Sequence, residues 1–248
     1  MDNKTEPKVA MLAITKHGIA QVKAIAEKMP EAEIVTSEKF AAVLNDISNK
    51  VHVYSGALSA NMGAVFSGYD QLICFVSLGA VVRLIAPHLK SKEVDPGVIV
   101  VDDAGQFVIP VLSGHVGGAN AYAQKIAELT GATAVVTTAS DVGKTIPVDI
   151  LGRELGWKVE APKINITRVS AHVVNEEPIA FIQESGSRKW WTRPTALPAN
   201  IHLFDSFEEV DLAQHKAVLW VTQRAITEQQ WQQLDERLVV YRPPVDQE

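Results

Sequence analysis

The chain is expected to fold as α/β: a layered, mostly parallel sheet domain over residues 1–145, followed by a smaller α/β domain over 146–248. Three observations carry this expectation. The apolar runs at 9–15 (VAMLAIT), 72–77 and 98–101 have strand length and no in–out alternation, as strands buried on both faces require. Segments with helical spacing alternate with them, the order that builds parallel sheets. Finally, the composition shifts after Asp141, and four of the five tryptophans (Trp190, Trp191, Trp220, Trp231) lie in the last third.

Each element follows from its local pattern. The 9–15 run leads into His17-Gly18, and residues 19–29 recur at helical spacing. Residues 33–36 read as a short strand. Ser37 is placed to cap a helix over 38–48 that carries Phe40, Val43, Leu44 and Ile47 on one face. Residues 51–55 alternate like a strand. After the 98–101 run, Asp103-Ala104-Gly105 turns the chain into 107–112, which predicts one antiparallel hairpin. Residues 119–129 form a helix stopped by Gly131, and 134–137 a short strand. In the second region, 166–174 and 178–183 bracket Asn175-Glu176-Glu177 and predict a hairpin. Strands at 201–204, 217–222 and 238–241 and a helix at 228–237 complete it, and the linker falls between Gly143 and Pro162.

Apolar residues make up 47% and charged residues 21% of the 248, the balance of a folded soluble protein. The net charge of -6 argues against nucleic-acid binding and leaves no polybasic membrane patch. A local basic cluster can still hold an acidic ligand. The single cysteine, Cys74, cannot form an internal disulfide, and its apolar setting (LICFVS) reads as a small buried hydrophobe. The start of the chain lacks a signal peptide's apolar core and no run reaches about 18 apolar residues, so a cytoplasmic protein without a membrane span is expected.

The stretch from Arg83 to Asp141 is the most informative part of the chain. Parallel sheets bind ligands beyond the carboxyl ends of their strands, and three polar clusters follow strands here: Ser77-Leu78-Gly79, Ser113–Asn120 and Thr137-Thr138 with Asp141. SGHVGGAN (113–120) places a hydroxyl, an imidazole, glycines and a carboxamide before a helix start, where backbone N–H groups can receive an anion. His115 is the candidate general acid/base. Ser113 is a candidate nucleophile, although the strained elbow of serine hydrolases is absent. Gly117, Gly118 and Asn120 form a candidate nest, or a tight turn that needs glycine sterically. Arg83, His88, Lys90 and Lys92 form either a solvated face or a carboxylate clamp led by Arg83. Asp102 ends a strand where a carboxylate can orient a histidine, whereas Asp103 reads as a turn residue with Gly105. Thr137, Thr138 and Asp141 either bind ligand or cap the next helix. His17, after the first strand, is a weaker site candidate. Metal-ligating spacings and nucleotide fingerprints are absent, so no resident metal or cofactor is expected.

Several of these blocks resemble, in order, the cobalamin biosynthesis protein G family of cobalt-precorrin-5A hydrolases. They are VRLIAP (82–87), Lys92 with Asp95-Pro96, VVDDAGQFVIPVLSGHVGGAN (100–120) and VVTTASDV (135–142), while 143–248 looks like the family's more variable central region. The resemblance implies a cobalt-corrinoid substrate that brings its own cobalt, opening of a δ-lactone, and release of the C20 fragment as acetaldehyde. For that reaction the residue pattern, rather than the resemblance, suggests His115 as base, Asp102 as its orienter, and the N–H groups near Gly117 and Gly118 as oxyanion donors. Arg83, Lys92, Gly79, Asn120, Thr137, Thr138 and Asp141 are assigned to substrate binding. The family's further C-terminal domain has no counterpart in the chain. A separate polypeptide supplying it, or a homo-oligomer, is therefore an allowed partner, and a non-catalytic corrinoid-binding subunit is the alternative function.

Overall fold

A computed structural model describes residues 6–245; the first five residues, on which the expectation about a leader partly rests, and 246–248 lie outside the described residues. The chain divides into two compact units between Thr137 and Thr138. The expected boundary was at 145/146.

The first unit holds a seven-stranded sheet: β1 (Val9–Ala13), β2 (Glu33–Ser37), β3 (Val51–Tyr54), β4 (Gln71–Phe75), β5 (Gly97–Val101), β6 (Phe107–Leu112) and β7 (Thr133–Ala134). They lie in the order β3-β2-β1-β4-β5-β6-β7. The first five run parallel, β6 turns antiparallel against β5, and β7 follows β6 in parallel. Every residue of β1, β4 and β5 is buried, as unbroken apolar runs require of strands covered on both faces. Cys74 sits within β4, and burial pushes its thiol up to about 12, consistent with a packing role.

Helices cover both faces. On one, α1 (Lys16–Ala26) and α5 (Ala119–Thr130) pack Ile19, Val22, Ala123 and Ile126 against Met11, Ile73 and Ile99. On the other, α3 (Leu58–Gly68) and α4 (Leu78–Ile85) pack Met62, Phe66, Val81 and Ile85 against Leu12, Leu72 and Val98. The helix expected over 38–48 is shorter: α2 (Glu38–Ala41) passes into a 3-10 turn at Ala42–Leu44, and the Ser37 side chain makes no cap bond. Only Leu44 on this segment is buried, so little packing sustains further turns.

The second unit holds β8 (Lys158–Glu160), β9 (Ile179–Gln183), β10 (Ile201–Phe204), β11 (Ala217–Val221) and β12 (Leu238–Arg242), in the order β10-β9-β11-β12-β8. All pairs are parallel except the edge strand β8. The expected hairpin over 166–183 is a helix followed by a strand: α7 (Lys163–Val174) leads through a turn at Glu176 into β9. Its β-branched residues favour strand, but Asn165, Val169 and Val173 recur every fourth position on one buried face. The buried Asn165 amide also donates to the carbonyls of Asp235 and Leu238, at 2.9 Å each. Two short helices, α6 (Ala139–Val142) and α8 (Glu228–Leu234), complete the unit; a 3-10 turn at Asp235–Arg237 replaces the last turn expected of α8.

Candidate active site

Because β6 runs antiparallel, its carboxyl end lies beside the beginning of β5, with Leu112 opposite Val98. The SGHVGGAN loop therefore sits at the amino-terminal end of the parallel strands. This corrects the expectation that it shares their carboxyl edge. It lies across the sheet from Ser77-Leu78-Gly79, about 16 Å away for a five-residue strand. Local contacts fix the placement. Ser113 Oγ donates to the Asp95 carbonyl at 3.1 Å, the buried Gln71 side chain donates to the Gly117 carbonyl, and the Asp95 carboxylate accepts from Lys90 N–H at 3.0 Å. Ser113, Gly114, Gly117, Gly118 and the buried Asn120 thus gather at this end, joined through Asp95 to the segment carrying Lys92.

The loop closes largely on itself. The N–H groups of Gly118, Ala119 and Asn120 donate to the carbonyls of His115, Ser113 and Gly114 at 3.0–3.2 Å. The Gly118 N–H is therefore committed within the turn, and the expected oxyanion donor there is corrected. The glycines have steric causes. Gly118 has φ +84, while a Cβ on Gly117 would lie 2.8 Å from the Ser113 carbonyl oxygen and one on Gly114 2.7 Å from Asn120 Oδ1. Ser113 itself has φ 54, and its hydroxyl donates to a carbonyl, not to an imidazole.

Asp102 and Asp103 exchange their expected roles. The Asp102 carboxylate closes the β5–β6 turn, accepting from Phe107 N–H at 2.6 Å and Ala104 N–H at 3.1 Å. It does not orient His115. Asp103 instead holds His17, with Oδ2 2.7 Å from Nδ1, and its other oxygen lies 3.4 Å from Thr15 Oγ1. The Gln21 amide braces this turn by donating to the carbonyls of Asp102 and Asp103 at 3.1 and 2.9 Å. The residue pattern carried a faint signal of this cluster, a histidine and a glycine directly after a buried strand.

This cluster stands at the carboxyl edge, where the sheet divides. The chain leaves β1 toward one face through α1 and leaves β4 toward the other through α4, so a crevice opens between them. Gly18 allows the first turn of α1 to touch the end of β4; a Cβ there would lie 2.8 Å from the Phe75 carbonyl oxygen. Across the crevice, Ser77 precedes α4 without making a cap bond, and Gly79 and Arg83 follow on one face, four residues apart. Arg83, Lys90 and Lys92 are exposed, and none has an ion pair among the described residues. Leu78 and Val82 expose apolar surface beside Arg83 on α4, whereas Leu89 and Val94 flank Lys90 and Lys92 in the segment that Asp95 holds at the amino-terminal end.

The second unit has its own crevice, between β9 and β11, and its own side chains fill it. Arg224 is clamped by Glu184 and Glu208, bonding Glu184 Oε2 at 2.9 Å and Glu208 Oε1 at 2.8 Å, while Thr222 donates to Glu184 at 2.6 Å. Burial pushes the Glu184 carboxyl up, but hydrogen bonds from Thr222, Arg224 and Phe207 N–H outweigh it and leave the pKa below the ordinary value. Arg224 holds the Glu208 carboxyl at about 2. Beside this network lies a cavity of about 230 Å³ lined by Phe181, Gln183, Arg188 and Asp205, in which Arg188 pairs with Asp205. Of the remaining expected site residues, Thr137 is exposed at the end of the first unit. Asp141 accepts from Thr138 Oγ1 at 2.7 Å and pairs with Arg193 at 2.9 Å. Among the described residues no group of three or more His, Cys, Asp or Glu is placed to hold a metal, and no helix is long and apolar enough to cross a membrane.

Residues 60–141 match the family described as Cobalamin synthesis G N-terminal, and residues 146–243 that described as Cobalamin biosynthesis central region. The chain is 42% identical, over 95% of its length, to a protein of Priestia megaterium named Cobalt-precorrin-5A hydrolase. A Salmonella typhimurium protein of the same name is 30% identical over 76% of the chain. The chain spans 62% and 50% of the lengths of these two relatives. A crystal structure of a cobalamin biosynthesis protein G homologue from Sulfolobus solfataricus aligns with TM-score 0.50 and 19% identity, covering 95% of this chain and 60% of that one, a likeness of fold.

Proposed function

The chain belongs to the cobalamin biosynthesis protein G family through its N-terminal and central regions, and from that premise we propose that it acts as a cobalt-precorrin-5A hydrolase. The observation that carries this reading is 42% identity to a relative of that name over 95% of the chain. The substrate would be a cobalt corrinoid that brings its own metal. Its acetate and propionate carboxylates need cations and its macrocycle needs apolar contact. Arg83 with the exposed Leu78 and Val82 on α4 offers both at the carboxyl edge, and Lys90 and Lys92 with Leu89 and Val94 add charge and apolar surface toward the other end.

In the proposed reaction, water adds to the lactone carbonyl and the ring C–O bond breaks, freeing a hydroxyl on C20. Loss of that hydroxyl proton then breaks a carbon–carbon bond, acetaldehyde leaves, and the macrocycle receives the electron pair. The protein must supply a proton acceptor and hold the carboxylates. Two imidazoles compete to be that acceptor, His115 on the motif loop and His17 on the carboxyl edge. Incubating the purified chain with cobalt-precorrin-5A should release acetaldehyde in step with corrinoid turnover. Tight corrinoid binding without acetaldehyde would contradict the hydrolase reading and support the non-catalytic binding role.

A further inference from the structure

We infer that His17, oriented by Asp103, is the proton-transferring residue, acting in the crevice between β1 and β4; the inference rests on the hydrolase reading above. The Asp103 carboxylate 2.7 Å from Nδ1 fixes the tautomer, with Nδ1–H toward the carboxylate and the Nε2 lone pair outward. The His17 side chain is 70% exposed, so Nε2 is open to a ligand. A solvated ion pair stabilises a fold by only about 0–1 kcal/mol and needs no scaffold. This one has a scaffold. Gln21 fixes the backbone of Asp102 and Asp103, and Asp102 closes the turn that presents Asp103. Support of this kind matters where the direction of an imidazole matters.

The opposite wall of the crevice carries an independent sign. Gly79 lies in the first turn of α4 with no positive φ, and a Cβ built there would meet nothing within 4 Å. Glycine weakens a helix relative to alanine, and neither packing nor backbone conformation asks for it here. Close approach of a ligand to bare backbone does. Arg83 shares that face one turn on, and helical side chains lean toward the N-terminus, which here is the crevice. With a substrate carboxylate on Arg83, the lactone can present its carbonyl to water held at Nε2. The water oxygen bonds the carbonyl carbon and Nε2 takes the proton that oxygen loses. The lactone C–O bond then breaks, and the departing oxygen receives that proton as the C20 hydroxyl. Asp103 acts through His17 and is a positioning residue.

The test uses the full chain, with acetaldehyde release from cobalt-precorrin-5A as one readout and diethyl pyrocarbonate labelling of histidines as the other. His17→Asn should lower kcat by at least about 10²-fold at unchanged KM. His17→Gly should regain rate with added imidazole. Asp103→Asn should lower kcat at unchanged KM, and Asp103→Glu should recover part of it. Turnover of His17→Asn within about threefold of the unmodified chain, or no imidazole rescue in a folded His17→Gly, would overturn the inference while leaving the hydrolase reading intact. If the unmodified chain releases no acetaldehyde, the hydrolase reading fails, and labelling decides the site. Protection of His17 by the corrinoid would keep it as the binding crevice; labelling of His17 at the unliganded rate would overturn that too.

Discussion

Both sheets divide at a point where connections leave to opposite faces, between β1 and β4 in one unit and between β9 and β11 in the other, and the two crevices are filled differently. In the second unit Arg224, Glu184, Glu208 and Thr222 take up one another's hydrogen bonds across the opening. In the first, the matching position holds a braced histidine, a glycine without a packing reason and an arginine without a carboxylate. Topology makes a crevice in each, but only groups left unsatisfied by the fold can be satisfied by a ligand. Under the proposed function, the difference places the chemistry in the first unit and gives the clamp in the second a stabilising role.

The largest expected effect outside the histidine itself is at Arg83. Arg83→Ala removes the proposed charged hydrogen bond to a substrate carboxylate, about 1.5–3 kcal/mol, and should raise KM roughly ten- to hundredfold at unchanged kcat. Arg224→Ala should instead lower the melting temperature and leave KM alone. Steady-state kinetics beside thermal melts on both variants would break the comparison if the two phenotypes were exchanged.

Next in size is the motif loop. Gly117→Ala should destabilise the fold by about 1–3 kcal/mol, because the new methyl group meets the Ser113 carbonyl oxygen and side chain. Urea unfolding measures it, and a stable alanine variant with slowed turnover would return the loop to the active site.

Acid should act on the clamp in the second unit. Glu184 and Glu208 have folded pKa values below the ordinary carboxylate range, so their contribution is complete above about pH 4.5. For Glu208 it is lost as pH falls toward 2, and for Glu184 as pH falls through its lowered value. Glu184→Gln should flatten that part of the stability–pH curve, read by melting temperature. An unchanged curve would mean that the clamp carries little of the acid sensitivity.

The smallest effect expected on stability is at Gly79. Gly79→Ala should leave the fold as stable or raise it by up to about 1 kcal/mol, since nothing obstructs the methyl group. It should nevertheless weaken corrinoid binding, measured by absorbance titration. An alanine variant that binds normally would remove Gly79 from the crevice.

Much of this fold was legible in the residues. The buried strands, the antiparallel turn at Asp103–Gly105 and the helix ended by Gly131 follow from apolar runs and turn chemistry that act locally. The 163–174 helix was hidden because β-branched residues favour strand until three residues at four-residue spacing on a buried face override them. The site was less legible for a topological reason. SGHVGGAN follows a strand, but that strand's direction is set by pairing with β5, and its antiparallel course carries the motif to the far end of the sheet. Glycines and a serine at φ 54 advertise a demanding turn as strongly as a binding loop. The His17–Asp103 pair joins residues 86 apart in sequence, so only the His17-Gly18 step after a buried strand showed locally and its partner did not.

The central claim is that ligand engages the carboxyl edge of the first sheet. Hydrogen–deuterium exchange of the full chain, with and without cobalt-precorrin-5A, tests it directly. Protection is predicted over residues 14–21, 77–83 and 102–104. Protection confined to residues 113–120, with the carboxyl edge unchanged, would contradict the account.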